Sequence, residues 1–116
     1  MSDCIFCKII SGDIPSVKVY EDDEVLAFRD LHPVAPTHVL LVPKKHFANI
    51  LELNDKPEEA GAVLAAINRA AQAVAESEGL ENGFRLINNC GPDGGQTVMH
   101  LHVHLIGGKV LGEGLI

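Results

Sequence analysis

Three histidines alternate with apolar residues near the end of the chain, in the run His100-Leu101-His102-Val103-His104-Leu105-Ile106. Strict alternation of this kind is typical of a β-strand, in which every second side chain shares a face at a spacing of ~6.6–6.8 Å. The pattern predicts a strand over residues 98–106, with three imidazoles on one face and the leucines and valine toward the core. An ordinary solvated face carries varied polar residues, so three histidines indicate chemistry.

Imidazoles support two kinds of chemistry in such a place. Neutral histidines ligate catalytic metals, and one imidazole can act as a nucleophile while its neighbours bind an anion and donate protons. The preceding loop, Gly91-Pro92-Asp93-Gly94-Gly95-Gln96-Thr97, is rich in glycine, so its backbone amides can approach a phosphate closely. Alone it is equally typical of a tight turn; joined to the histidines it favours phosphate chemistry. No acidic residue lies within the strand or is an obvious partner elsewhere, which weakens the catalytic-metal interpretation.

Length and charge narrow the class of protein. A chain of 116 residues predicts a single domain over residues 1–116. The net charge of -7 and the 4% aromatic content argue against nucleic acid as a partner. The polar start Met1-Ser2-Asp3-Cys4 and the absence of an apolar run near ~18 residues argue against a leader or a membrane span. With three cysteines, too few for a disulfide scaffold, the expected location is the reducing cytoplasm.

Strand-like and helical segments alternate in a way that predicts an α+β fold with a largely antiparallel sheet. The predicted strands cover residues 17–20, 25–28, 38–42, 84–87 and 98–106, of which 38–42 is expected to be central because it is continuously apolar. Asn54 or Asp55 is expected to cap a long helix that ends near Gly79. Its apolar stripe is predicted to contain Leu64, Ile67, Ala71 and Val74.

The histidine run resembles the signature of the histidine-triad (HIT) superfamily, His-φ-His-φ-His-φ-φ with φ apolar. Further motifs resemble its Hint branch, the purine nucleoside phosphoramidases: Cys4-Ile5-Phe6-Cys7-Lys8-Ile9-Ile10, Ala35-Pro36-Thr37-His38, Pro43-Lys44-Lys45-His46 and Gly94-Gly95-Gln96. The similarity runs from about Cys4 to Gly108. It implies a five-stranded antiparallel sheet with one long helix and a short N-terminal helix.

The resemblance also implies a reaction on purine nucleotides joined to an amine. His102 corresponds to a nucleophile that forms a nucleotidyl-histidine, which water then hydrolyses. His104 corresponds to a residue that contacts the phosphoryl oxygens and helps the leaving group accept a proton. His38 corresponds to the family's fourth histidine beside this site, and Thr97 stands where many relatives have serine.

The expected substrate-binding residues follow from the same resemblance. Asn89 corresponds to a residue at the phosphate and ribose edge, and Asp30 to the acid that holds the ribose hydroxyls, although Asp30 also suits a turn before Pro33. Gly95 and Gln96 belong to the phosphate-approaching loop. The positions that resemble the apolar purine pocket are equally suited to core packing; they are Phe6, Ile9, Phe28 and Leu31.

The Cys4-x-x-Cys7 motif suggests a redox pair or half of a zinc site. No strand precedes it, which is unlike a thioredoxin-type motif. Bacterial Hint-like proteins with two cysteines, a distal histidine and the first triad histidine imply a closed structural zinc site formed by Cys4, Cys7, His46 and His100. Zinc with four protein ligands has no open position for chemistry. The alternative is a pair of small apolar cysteines in a metal-free fold; Cys90 is expected only to pack.

The leading functional hypothesis is a hydrolase that cleaves the P–N bond of purine nucleoside phosphoramidates, of the AMP-amine or adenylated-lysine type. A nucleotide-binding or protein-interaction module with incidental turnover and a dinucleoside polyphosphate hydrolase remain as alternatives. The resemblance also implies a homodimer in which two five-stranded sheets join edge to edge, through the helix and the central strand.

Overall fold

The computed structural model describes residues 3–116. Met1 and Ser2, half of the predicted polar start, lie outside the described residues. The elements in chain order are α1 (Ile5–Ser11), β1 (Lys18–Glu21), β2 (Val25–Arg29), β3 (Thr37–Pro43), a 3-10 helix (Ile50–Asp55), α2 (Pro57–Ser77), β4 (Phe84–Ile87) and β5 (Val103–Gly107). Within residues 3–116, no helix is both long and apolar enough to cross a membrane.

The five strands form one antiparallel sheet in the order β1-β2-β3-β5-β4. This confirms the predicted α+β class, the five-stranded sheet and the two helices. Strand β3 lies at the centre and every one of its residues is buried, as its continuous apolar run predicts. Strand β3 is therefore paired on both sides, with β2 and β5, and the edge strands of this sheet are β1 and β4.

Helix α2 covers one face of the sheet. Its buried stripe includes Val63, Ile67 and Val74, with alanines between them that allow close approach to the strands. The prediction that Leu64 belongs to this stripe is wrong, because its side chain is 46% exposed. Val63 lies about 100° around the helix from Leu64 and takes the inward position instead.

The predicted cap of α2 is also wrong. Asn54 and Asp55 lie in the 3-10 helix, and α2 begins at Pro57 after Lys56, whose side chain makes no capping hydrogen bond. Proline suits this first helical position because its fixed φ is already helical and its missing N–H would have no partner there. The helix ends at Ser77, and Gly79 follows with a φ of 70°, which a glycine adopts without strain.

Strand β5 begins at Val103, five residues after the predicted start at Val98. Before it, the Leu101 N–H donates to the carbonyl of Phe47 at 2.6 Å, so this backbone is held by the segment after β3 rather than by a strand ladder. The three imidazoles consequently do not form a single row. His100 contacts the ring of His46, whereas His102 contacts the ring of His104.

The face of the sheet away from α2 carries a second, smaller core. Alternation within β2 and β3 sends Leu26 and Phe28, and likewise Leu40 and Val42, to this side. Helix α1 packs here through Phe6 and Ile9. This core places α1 beside the histidine segment, and both candidate sites lie along that junction.

Candidate active site and metal centre

A cavity of about 650 Å³ opens beside α1, within the volume range of small-molecule sites. Its walls combine an apolar region from the second core with a polar end at the histidines. Ten residues expected at the active site line it: Phe6, Ile9, Phe28, Asp30, Leu31, Asn89, Gly95, Thr97, His102 and His104. Segments that the sequence places as far apart as α1, the turn after β2 and the glycine loop therefore meet at one site.

The hydrogen bond of His102 determines which of its nitrogens carries the proton. Its Nδ1 lies 2.7 Å from the carbonyl oxygen of His100. A carbonyl only accepts, so Nδ1 carries the proton and Nε2 keeps its lone pair. Because His102 lines the cavity, the structure presents an unprotonated ring nitrogen next to it. The carbonyl of His102 is itself held by Asn88, whose Nδ2 donates to it at 2.9 Å.

A short chain of hydrogen bonds sets the protonation of His104. The Val34 N–H donates to Nδ1 of His38 at 3.2 Å, so the proton of His38 resides on Nε2. That Nε2–H donates to Nδ1 of His104 at 2.9 Å, which leaves the proton of His104 on its own Nε2. His104 lines the cavity as a donor, while His38 is buried behind it and positions it.

Burial keeps His104 neutral. It lowers the pKa of His104 below the ordinary histidine value, and His102 and His38 lower it further, against an opposing effect of Asp30. At neutral pH the ring is therefore an uncharged N–H donor rather than an imidazolium.

Asp30 forms the turn that was the alternative expectation for it, and it also faces His38. Its Oδ1 accepts from the His32 N–H at 2.7 Å and forms the turn, while its Oδ2 lies 3.5 Å from Nε2 of His38. Asp30 is therefore an acidic neighbour of His38 that was not obvious from the sequence. The signal was missed because Asp30 and His38 are paired across the turn that joins β2 and β3, a contact that only the turn geometry creates.

The purine-pocket positions differ in exposure. Phe6, Ile9 and Phe28 are buried in the second core, which confirms core packing, and they also line the cavity. Their role at a purine stays a prediction. Leu31 is 87% exposed and forms the rim. Sequence reasoning missed two further apolar lining residues, Ile14 and Leu40.

Gln96 does not line the cavity, contrary to its expected place among the substrate-binding residues. Its Nε2 donates to the carbonyls of Ala48 and Val98 at 2.7 and 2.9 Å, and its Oε1 accepts from the Gly91 N–H at 3.0 Å. All of these partners are backbone groups, so Gln96 shapes the loop from within. Gly94 is needed for close approach, because an added Cβ would lie 2.6 Å from the carbonyl oxygen of Cys90.

A second group of side chains, Cys4, Cys7, His46 and His100, has ligand-type atoms within 4.8 Å of one another. Nδ1 of His46 lies 3.1 Å from Nδ1 of His100. Sγ of Cys7 lies 3.3 Å from Nδ1 of His46 and 3.6 Å from Nδ1 of His100, and Sγ of Cys4 lies 3.4 Å from Nδ1 of His100. Tetrahedral zinc has edges of about 3.3 Å between two nitrogens and about 3.6 Å between sulfur and nitrogen, given its usual bond lengths. The spacing of the donor atoms fits zinc.

Protonation of His100 supports the same fit. Its Nε2 donates to the carbonyl of Pro43 at 2.8 Å, so Nδ1, which faces the cysteines and His46, carries a lone pair. A third group, Asp30, His38 and His104, also has ligand atoms close together. There, however, the Val34 N–H occupies Nδ1 of His38, so Nε2 must keep its proton and is not a metal ligand.

We expect acid to destabilise the metal-free protein through His100. Burial lowers the pKa of His100 to about 4, with His46 and His102 contributing, against the opposing bond to Pro43. In the unfolded chain the imidazole of His100 has a pKa near 6.5, so the unfolded state binds more protons than the folded state between pH 6.5 and 4. The contribution of His100 to the free energy of unfolding is fully present above pH 6.5 and falls by roughly 3 kcal/mol as the pH drops to 4.

Urea unfolding in chelator at pH 7 and at pH 4.5 measures this loss. The matched variant His100→Gln keeps an amide donor for Pro43 and does not titrate, so its stability should fall less over the same interval. Equal losses in both proteins would assign the effect to other groups, and an unchanged free energy of unfolding would contradict it.

The HIT domain family model matches residues 11–111 of the chain. This chain belongs to the HIT family. A HIT family hydrolase from Clostridium thermocellum has the same fold, with a TM-score of 0.93 and 48% identity over 100% of this chain and 99% of that one. The match confirms the resemblance drawn from the histidine run and the accompanying motifs.

Two curated relatives of this HIT protein carry informative names. The purine nucleoside phosphoramidase of Escherichia coli K12 is 49% identical over 111 residues, covering 93% of this chain and 89% of that protein. The 14 kDa zinc-binding protein of Brassica juncea is 50% identical over 107 residues, covering 92% and 94%.

Proposed function

We propose that this HIT protein is a purine nucleoside phosphoramidase, a hydrolase that cleaves the P–N bond between a purine nucleoside monophosphate and an amine. The observation that carries the proposal is the pairing of an unprotonated Nε2 on His102 with an N–H donor on His104 in one nucleotide-sized cavity. The name of the Escherichia coli relative supports it.

His102 acts as the nucleophile. Its Nε2 lone pair attacks the α-phosphorus, a nitrogen–phosphorus bond to the enzyme forms, and the bond to the amine breaks with its electron pair leaving on the amine nitrogen, which takes up a proton. Water then attacks the nucleotidyl-histidine: its oxygen bonds to phosphorus, the bond from phosphorus to Nε2 breaks, and one water proton replaces the proton that the amine took. The nucleotide and neutral His102 are released. Two displacements replace a single harder one, which is the general benefit of covalent catalysis.

His104 serves the same displacement as a donor. Its Nε2–H bonds a phosphoryl oxygen or the departing nitrogen, where negative charge develops, and its neutral state avoids a fixed salt bridge with the ground-state phosphate. His38 holds the ring in this protonation state and is a positioning residue. Thr97 and Gly95 also line the cavity, and we propose that they complete the phosphate environment.

The remainder of the cavity suits a nucleoside. The purine fits the apolar walls around Phe6 and Phe28, and Asp30 and Asn89 are placed to bind ribose hydroxyls or the phosphate edge. One cavity holds all of the residues that the proposed reaction needs, and no second module is required. We therefore infer a single functional domain over residues 1–116. A net charge of -7 fits a small-molecule substrate better than a nucleic acid.

The Cys4, Cys7, His46 and His100 group is proposed to hold a structural zinc ion. Four protein ligands fix tetrahedral geometry and leave no coordination position for substrate. Thiolate ligands persist in reducing surroundings, which supports a cytoplasmic location for the protein. The name of the Brassica juncea relative supports the metal.

Hydrolysis of adenosine 5′-phosphoramidates of small amines tests the function, with guanosine phosphoramidates and a diadenosine polyphosphate as comparison substrates. The proposal expects release of AMP and free amine, and a nucleotidyl-protein adduct trapped by rapid quench into alkaline denaturant, in which a phosphorus–nitrogen bond to histidine persists. AMP binding without turnover of any phosphoramidate would favour the binding module. Faster cleavage of the diadenosine polyphosphate would favour the alternative hydrolase.

A homodimer is proposed through the edge strand β4. Phe84 and Leu86 on this strand are 41% and 42% exposed. An edge strand with unpaired backbone groups and exposed apolar side chains tends to pair with another chain. The central strand β3 is excluded as the joining edge because β2 and β5 flank it. We expect Leu86→Glu to convert a dimer of the wild-type protein into a monomer.

Sedimentation velocity at micromolar concentration measures that change. Leu51→Glu, at an exposed leucine of the 3-10 helix, is the matched control and should leave the mass unchanged. A monomeric wild type, or a dimeric Leu86→Glu protein, would contradict the β4 interface.

A further inference from the structure

Helix α1 joins the metal group to the nucleotide cavity. Cys4 at its N-cap and Cys7 in its first turn contribute sulfur atoms to the metal group. Phe6 and Ile9, which are also three residues apart, point to the cavity and line it. One short helix therefore carries half of the metal ligands on one side and part of the cavity wall on the other.

His100 makes the same connection from the opposite side. Its ring lies in the metal group, anchored by the bond from Nε2 to Pro43. Its backbone carbonyl oxygen accepts a hydrogen bond from Nδ1–H of His102 at an N···O distance of 2.7 Å and so determines which nitrogen of His102 is free. The ring of Phe6 packs edge-on against both histidines, with centroids 5.9 Å from His100 and 5.0 Å from His102.

Outside the metal group, α1 is held through one apolar face that packs on the second core. It has seven residues, of which only Phe6 and Ile9 are buried. A helix this short does not persist on its own, so its position depends on tertiary attachments. The metal ligands are attachments of a different kind, because they fasten the N-terminal end of α1 to His46 and His100.

We infer that the metal group is a positioning device for the active site: metal binding by Cys4, Cys7, His46 and His100 orders the α1 wall of the nucleotide cavity and fixes the orientation of His102. His100 is the positioning residue that connects the two sites. The inference rests on the proposed function, since it needs both a metal and a nucleotide. It adds that the metal ion and the nucleotide strengthen each other's binding.

Thermodynamic linkage makes the effect reciprocal. If the metal raises the affinity for a nucleotide by a given factor, the nucleotide raises the affinity for the metal by the same factor. We expect a factor of roughly ten, within the ~5–150-fold range usual for coupled sites.

Two equilibrium measurements on the full chain test the inference. Calorimetry gives the Kd of AMP for the zinc-loaded protein and for the chelated protein, once circular dichroism shows that the chelated protein is folded. Competition with a zinc-binding dye gives the zinc affinity with and without saturating AMP, and it starts from the loaded protein, so it stands even where the chelated protein unfolds. We expect AMP to bind roughly tenfold more weakly without zinc, and zinc to bind roughly tenfold more tightly with AMP.

Variants separate coupling from general stabilisation. Cys7→Ser should show the weak AMP affinity even with zinc present and no further response to chelator. Cys90→Ser, a cysteine outside the metal group, should behave as the wild type. Nitrogen NMR of the imidazole rings gives a second readout, in which the His102 signals are assigned with His102→Ala. With zinc bound, His102 should carry its proton on Nδ1, and on chelation it should become a mixture of the Nδ1–H and Nε2–H tautomers. A merely structural metal would not cause this change.

The outcomes distinguish this inference from the function on which it rests. Equal AMP affinity with and without zinc, together with an unchanged zinc affinity in AMP, would overturn the coupling and leave the phosphoramidase proposal standing. Failure of the zinc-loaded protein to bind AMP would overturn both. Failure to bind zinc would overturn the coupling alone.

Discussion

Replacing His102 with alanine is expected to lower kcat/KM for adenosine phosphoramidates by roughly 10⁴-fold or more, as removal of a catalytic nucleophile usually does. The substitution deletes the Nε2 lone pair that the bond from Nδ1 to the His100 carbonyl leaves available. His104 and the other cavity residues remain, but they assist a displacement that has lost its attacking atom. Single-turnover and steady-state assays of the two proteins measure the effect.

The variant must still bind the nucleotide for that result to concern chemistry. We expect the AMP affinity of His102→Ala to stay within a few-fold of the wild type, since its ring is one wall contact among many. The nucleotidyl-protein adduct should be present in the wild type and absent in the variant after alkaline quench. Turnover that persists in the folded variant would show that another group attacks phosphorus.

Removal of zinc is expected to lower the Tm by roughly 10–20 °C. A ligand present at a thousand times its Kd stabilises the folded state by about 4 kcal/mol, and one kcal/mol corresponds to several degrees of Tm in a domain of this size. The proposed ligands are Cys4 and Cys7 at the start of α1, His46 after β3 and His100, so a bound ion would close long loops of the chain. Calorimetry with and without chelator measures the change.

Two cysteine variants control this experiment. Cys90→Ser should lose the same Tm on chelation as the wild type, whereas Cys7→Ser should begin with a lower Tm and lose little more. A zinc content near zero in protein purified without chelator, or a Tm that does not respond to chelator, would contradict a structural zinc ion.

Strand and helix periodicity predicted most of the fold correctly. The unbroken apolar run before Pro43 indicated a central strand, and β3 is central and buried. The errors lie at two kinds of place. In one, either of two adjacent helix positions could face the core; in the other, an extended segment does not pair with a neighbouring strand. Leu64 and Val63 both continue an apolar stripe, and residues 98–102 alternate like a strand although Leu101 bonds Phe47 instead.

Individual site residues were predictable where a motif names them and not where a hydrogen bond decides their use. The histidine run and the glycine loop point to the cavity residues His102, His104 and Thr97, which the structure brings together. Nothing in the sequence indicates that the Val34 N–H determines which nitrogen of His38 is protonated, or that the side-chain amide of Gln96 hydrogen-bonds backbone groups.

The sequence by itself determined the residue types, the alternation and the order of the motifs, because these depend on local periodicity and on the identity of side chains. It thereby predicted the fold class, the family and the residues available for phosphate chemistry and for a metal. Only the tertiary structure decided which nitrogen of each imidazole is free. That choice depends on carbonyl and amide groups of His100, Pro43 and Val34, and every residue carries those groups whatever its side chain, so their partners are known only once the chain is folded.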